Sequence, residues 1–320
     1  MLVQLFRSNR PAVLLILLVL VPGLFGKSWA MSMGTHAPAM PLYAILHGAL
    51  AHGPVLPWLV GVVLVGTIAV QATWFANEAG LVDQRTYLPA LLFPLLIGAL
   101  GRPGLLDPAL MGMPLVLLAM RDVFAMGTGP GVLGRLFDAG ALLGIATLFH
   151  LPYAFLVVVV LGTVSVTRPF AWREYVVPLL GIALVLFLCW SMLLFMGATW
   201  DPYRTVWQDP DTIHTAPRLQ RIILYLVCGI GVVVAAYRYL AGYQRSVMRV
   251  RNLRAAFIGL MAAMGIMILL LHALNGQFPP VWLALPLSIF LSHALTGEHW
   301  RWLGETAVAI LALTALWVQW

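Results

Sequence analysis

Charge is what this chain has least of. Asp, Glu, Lys and Arg make up only 9% of its residues against 62% hydrophobic ones, and the mean hydropathy is +0.96. Ordinary soluble proteins carry about 25% charged residues, so a soluble globular protein is excluded and an integral membrane protein is implied. Lysine is nearly absent, Lys27 being the only one, and the net charge of +7 therefore rests on arginine. The arginines fall between apolar runs rather than in one patch, which excludes nucleic acid as a partner and points to connections at a membrane surface. The two cysteines, Cys189 and Cys228, sit inside apolar stretches without redox or metal spacing and read as packing residues. Also missing are a GxSxG elbow, a Walker loop, a zinc signature and a glycine-rich nucleotide fingerprint. No cofactor is expected, and catalysis of the soluble-enzyme type has no support.

What is present is a succession of apolar runs, each about the length that crosses a bilayer as a helix. They predict one all-α domain over 1–320, a polytopic transmembrane bundle of about eleven spans. The first runs from Pro11 to Phe25, and Pro11 suits a first helical turn, where its missing N–H costs nothing. Ser28-Trp29-Ala30 loosely fits a signal-peptide cleavage site, so this helix is either retained, the preferred reading, or removed. The others cover 55–76, 88–101, 106–120, 137–150, 152–167, 176–197, 219–237, 255–272, 279–296 and 302–319. With the N-terminus cytoplasmic and the C-terminus extracytoplasmic, most of the arginines fall inside, as the positive-inside tendency requires. The proline-rich runs 88–101 and 106–120 are short, and a re-entrant hairpin with nine spans is the alternative. The segment 30–54 is read as outer and interfacial, with PLYAILHGALA as a helix too short to span.

Two connections could carry chemistry. The largest extracytoplasmic loop, 198–218, offers Arg204, His214 and Arg218, with Arg221 just beyond it, and guanidinium forks match phosphate oxygens. Asp209, Asp211 and His214 could share a cation, but Asp-Pro-Asp is also ordinary turn chemistry, and no metal site is assigned. The basic cytoplasmic loop 238–254 carries five arginines and no acid, and Arg245 and Arg249 are expected on one helical face. Asp138 is expected to cap a helix start, with an intramembrane site as the alternative. Gly140 and Gly144 form a GxxxG pair that would admit a close neighbour. Glu305, four residues after Arg301, suggests a local ion pair. His47, His52, His150, His272 and His293 have no metal-like spacing.

FRSNRP at 6–11, RTYLP at 85–89, LFDAG at 136–140 and RPFAWRE at 168–174 resemble the recurrent motifs of an uncharacterised family of polytopic inner-membrane proteins from Bacteroidota. The resemblance covers the whole chain and implies a bacterial cytoplasmic membrane location. In RPFAWRE, Pro169 disfavours a helix at Arg168 and marks a stop, while Trp172 has an amphipathic ring suited to headgroup depth. Arg173 and Glu174, adjacent on the chain, should point apart. The expectation is a non-enzymatic envelope component, a scaffold or carrier, that binds membrane lipids or another envelope protein through Arg85, Arg135, Asp138, Arg168, Trp172 and Arg173. The alternative is an enzyme on polyprenyl-linked glycans, similar to O-antigen polymerases and ligases. There Arg204, Arg218 and Arg221 would hold pyrophosphate and His214 would act as base. A small-solute transporter is a third class.

Overall fold

Inside a bilayer the backbone has no water to bond, so every N–H and C=O must be paired within the chain, which for these apolar runs means helices. A computed structural model describes residues 2–7, 11–26, 40–50, 53, 55–82, 84–100, 107–126, 131–168, 171–197, 218–276, 278–296 and 301–319. Among these the regular structure is entirely helical. The elements are α1 (Leu2–Arg7), α2 (Leu17–Leu24), α3 (Pro41–Leu50), α4 (Val55–Glu78), α5 (Leu88–Leu100), α6 (Pro108–Phe124) and α7 (Val132–Thr147). There follow α8 (Val157–Thr167), α9 (Trp172–Phe195), α10 (Arg218–Arg245), α11 (Met248–Asn275), α12 (Pro280–Leu295) and α13 (Arg301–Gln319). Tighter 3-10 turns over Pro11–Ile16 and Leu151–Leu156 lead into α2 and α8.

Among the described residues four helices are long and apolar enough to cross a membrane unaided: Val55–Glu78, Trp172–Phe195, and the stretches Ile222–Gln244 and Met248–Leu274 of α10 and α11. The protein is built as a membrane protein. Several helices overrun the expected runs, because a helix does not end where its apolar face does. Thus α9 starts at Trp172, and the stretch 238–254, expected as a loop, is helical apart from Ser246 and Val247. Arg245 and Arg249 consequently lie on different helices, which corrects the expectation of a shared face. The Ser246 hydroxyl bonds back to Tyr243 O at 2.8 Å, and such a local bond competes with helix continuation.

At the centre are two short helices, α5 and α12, packed on each other and almost wholly buried. Twelve of the 13 residues of α5 and 13 of the 16 residues of α12 are buried, so neither has a lipid-facing side. At 1.5 Å per residue they measure about 20 and 24 Å, short of the roughly 30 Å hydrocarbon core. Buried in protein, such segments need not reach both surfaces. Around them lie α4, α6, α10 and α13, with α7 and α9 forming the most extensive helix pair at one side. Gly140, Gly144 and Gly181 sit at that crossing: a Cβ on Gly140 would collide with the Pro178 carbonyl, and one on Gly181 would meet Phe137 O at 2.5 Å. The GxxxG pair thus faces α9. The segment expected as an interfacial helix is helical, and its Tyr43 and Leu50 pack with Met40 and Met111.

Buried hydroxyls are bonded within their own helices, Thr73 to Ala69 O, Thr147 to Leu143 O, Thr163 to Val159 O, Ser288 to Leu285 O and Ser292 to Ile289 O. Far from the arginines, Asp107 caps α6 by accepting from Ala109 N at 3.0 Å. There the Tyr153 hydroxyl donates to Ala109 O, and its ring stacks on Trp282 at 5.0 Å. Those contacts tie α6, α12 and the 3-10 turn before α8 together at the end opposite Arg121, Arg135 and Arg173.

Candidate functional site

The motifs of the sequence meet at the end of the bundle where α4, α6 and α10 finish and α5, α7, α9 and α11 begin. Asn77, in the last turn of α4, brackets Thr86: its amide donates to Thr86 O (3.1 Å) and its carbonyl accepts from Thr86 N (3.2 Å). The Thr86 hydroxyl donates to Phe6 O (3.2 Å) and accepts from Leu88 N (3.2 Å), so it caps α5 while holding α1. Tyr87 N also donates to Phe6 O, at 2.8 Å. FRSNRP and RTYLP are therefore two sides of one joint, and Arg85 is left exposed beside it. The buried His293 lies between two carbonyls, with Nε2 2.8 Å from Leu81 O and Nδ1 3.2 Å from Phe290 O, which ties the end of α12 to the segment after α4.

Next to this joint Arg121 makes a two-point ion pair with Glu78, at 2.6 and 3.1 Å, with both side chains about half exposed. Arg135 donates to Ala125 O at 2.7 Å, closing the carbonyl end of α6. Asp138 does not cap a helix, which corrects that expectation. The cap position of α7 is Gly131, in a left-handed conformation with φ 95°, and no side chain bonds there. Only the first four N–H groups of a helix lack partners, and Asp138 comes too late to serve them. It is exposed, and its charge acts on Asp122 beyond the apolar run of α6. Burial first, and then Asp138, push the Asp122 carboxyl up, against the opposing pull of Arg121 and Arg135.

In RPFAWRE the two arginines have separate fates. Arg168 Nη1 lies 3.0 Å from Glu174 Oε1, and that carboxylate, with its side chain only 10% exposed, sits in the first turn of α9 at the positive end of the helix dipole. Arg173 points away from Glu174, as expected from their adjacency, and its guanidinium lies 5.7 Å from the ring centroid of Trp172. Trp172 is 68% exposed. Arg168 is thus committed to the fold, whereas Arg173 has its donors directed outward.

The tyrosines of α10 are functional candidates that sequence reasoning passed over. Arg251 of α11 lies over the Tyr243 ring (5.1 Å) and Arg254 over the Tyr239 ring (5.8 Å), while the Tyr239 hydroxyl donates to Arg254 O at 2.6 Å. The signal was available: Tyr239 and Tyr243 are four apart and Arg251 and Arg254 three apart, so each pair shares a helical face. A Cβ placed on Gly80 would lie 3.7 Å from the Val250 side chain, so this hairpin packs beside the Asn77–Thr86 joint.

Arg204 and His214, like Asp209 and Asp211, lie outside the described residues; Arg218 and Arg221 occupy the first turn of α10, described in its backbone only. Glu305 accepts from Gln4 N at 3.4 Å, and the side chain of Arg301 is outside the described set. Among the described residues no three of His, Cys, Asp and Glu gather as a metal site would require.

Residues 42–318 match the family described as a family of unknown function (DUF6427). The chain belongs to that family. No curated protein and no solved structure matches it. Within DUF6427 the matched region takes in RTYLP, LFDAG and RPFAWRE together with the α10–α11 hairpin, and FRSNRP precedes it.

Proposed function

We propose that this DUF6427 member is a non-enzymatic scaffold or carrier of the bacterial cytoplasmic membrane, whose arginine-rich end faces the cytoplasm and holds the anionic groups of membrane lipids. One observation carries the reading. Among the described residues at that end, Glu78 and Glu174 are occupied by Arg121 and Arg168, and Asp122 lies in the fields of Arg121, Arg135 and the exposed Asp138, while Arg85, Arg173, Arg249 and Arg251 have no carboxylate partner. A cluster of cations left unneutralised at a membrane surface attracts anionic headgroups, at about 1 kcal/mol for each charge near the surface. An acidic envelope protein would use the same guanidiniums and would be recovered as a polypeptide instead of as lipid.

The test is the lipid that travels with the protein. Replacing Arg85→Gln and Arg173→Gln together should lower the anionic phospholipid co-purified with the chain severalfold and leave its helical circular dichroism unchanged. An identical lipid complement in the variant and the wild type would overturn the proposal.

A further inference from the structure

The four free arginines are not equivalent, and the α10–α11 hairpin differs from the rest in three ways. It carries no acid at all, since the sequence has none between Asp211 and Glu298. Its guanidiniums are held by rings from the facing helix, Arg251 by Tyr243 and the buried Arg254 by Tyr239. Its depth follows from length. The apolar run from Ala255 to Leu274, broken only by His272, is about 30 Å long, which fills the hydrocarbon core by itself. Arg254 then lies at the hydrocarbon edge, Arg251 about 4.5 Å farther out, and Arg249 about 7.5 Å out. The headgroup layer is about 5–7 Å thick on each side, so Arg251 stands within it and Arg249 at its outer rim.

We infer that Arg251 is the phosphate-binding residue for an anionic phospholipid, with Tyr243 as the platform that orients it; Arg249, two residues back and so on another face of the helix, adds charge at the surface only. The inference rests on the reading of this end as lipid-binding and names where the headgroup sits. A guanidinium laid against an aromatic ring keeps its N–H edge free, and that edge is the part that matches phosphate oxygens in bidentate fashion. The stacking also limits the rotamers of a long side chain before the ligand arrives, which lowers the entropy cost of binding. Arg251 and Arg249 are both exposed, and neither has a carboxylate among the described residues to displace. Arg168 would first have to surrender Glu174. Arg254, buried beneath, is a positioning residue: the hydrogen bond from Tyr239 to its carbonyl fixes the register of α10 on α11.

Native mass spectrometry of the full chain in detergent, titrated with phosphatidylglycerol, phosphatidylcholine or inorganic phosphate, tests this directly. The wild type should retain phosphatidylglycerol selectively, and inorganic phosphate should not displace it. Arg251→Gln should weaken retention about fivefold, the loss that one surface charge brings, and Arg249→Gln, on another face of the helix, by less. Tyr243→Leu keeps the charge and should weaken retention by less, with the phosphatidylcholine background unchanged. Should Arg251→Gln fail to fold, Tyr243→Leu, which removes the platform and leaves the charge, still reads the site. Retention equal to the wild type in Arg251→Gln and in Tyr243→Leu overturns the inference. If Arg85→Gln with Arg173→Gln nevertheless lowers retention, the broader lipid-binding reading survives alone; if neither set does, both fail.

Discussion

Arg168 and Glu174 show how little a residue's type says about its use in so apolar a chain. The sequence places two arginines and a glutamate within seven residues, and elementary helix geometry already separates Arg173 from Glu174. It does not say that Arg168, six positions back and beyond a proline, turns round to make the pair at 3.0 Å. That depends on the path between α8 and α9, a tertiary fact. The same holds for Asp138, whose capping role was inferred from a helix start placed several residues too late. The Arg168–Glu174 pair has a measurable consequence. Removing one partner of a buried pair strands the other charge at about 3–5 kcal/mol; Arg168 is still 29% exposed, so Arg168→Gln should cost nearer 2 kcal/mol. Adding Glu174→Gln should recover more than half of that loss, since no charge is then stranded. SDS-induced unfolding of the single and double variants measures the coupling, and strictly additive losses would show that the pair contributes nothing.

For the elements, periodicity and apolar length read from sequence find nearly every helix but misplace several ends. Hydropathy reports where a side chain prefers lipid, whereas a helix continues until its backbone bonds are contested, as at Ser246. Nor does hydropathy separate α5 and α12, buried among other helices, from α9, whose Leu180, Phe187 and Phe195 are exposed. All three are apolar on every side, and only packing decides which face meets protein. The glycines were a better guide. Gly140 and Gly181 let α7 and α9 approach until backbone meets backbone, and backbone cannot swing aside as a side-chain tip does. Gly140→Ala should therefore destabilise by about 3 kcal/mol, at the upper end for overpacking, or undock α9. Gly134→Ala, on the same helix with nothing within 4 Å of the added Cβ, should be neutral or stabilising by up to about 1 kcal/mol. Similar losses at both glycines would mean that helix propensity, not the α7–α9 contact, governs the effect.

On the scale of the whole molecule, the structure brings to one end residues that the sequence scatters from Phe6 to His293. The positive-inside count already grouped their arginines on one side of the membrane. The contacts give that grouping a physical form through Phe6 with Thr86, Glu78 with Arg121, Leu81 with His293, Gly80 with Val250 and Tyr239 with Arg254. That this end faces the cytoplasm is our proposal from charge alone, because moving arginine-rich connections outward across the membrane is what the tendency opposes. Two single cysteines placed where Cys189 and Cys228 have been changed to serine decide the matter. Ser246→Cys lies in the α10–α11 turn at the arginine end, and Met196→Cys lies past the far end of α9, about 36 Å of helix away from Trp172. In spheroplasts a membrane-impermeant maleimide should label Met196→Cys at once and Ser246→Cys only after the membrane is opened. The reverse pattern would put the arginines outside and remove the cytoplasmic headgroups from the proposed site. Labelling of both cysteines from one side would mean that α10, the helix between them, does not cross, despite the 23 residues of Ile222–Gln244 being long and apolar enough to span.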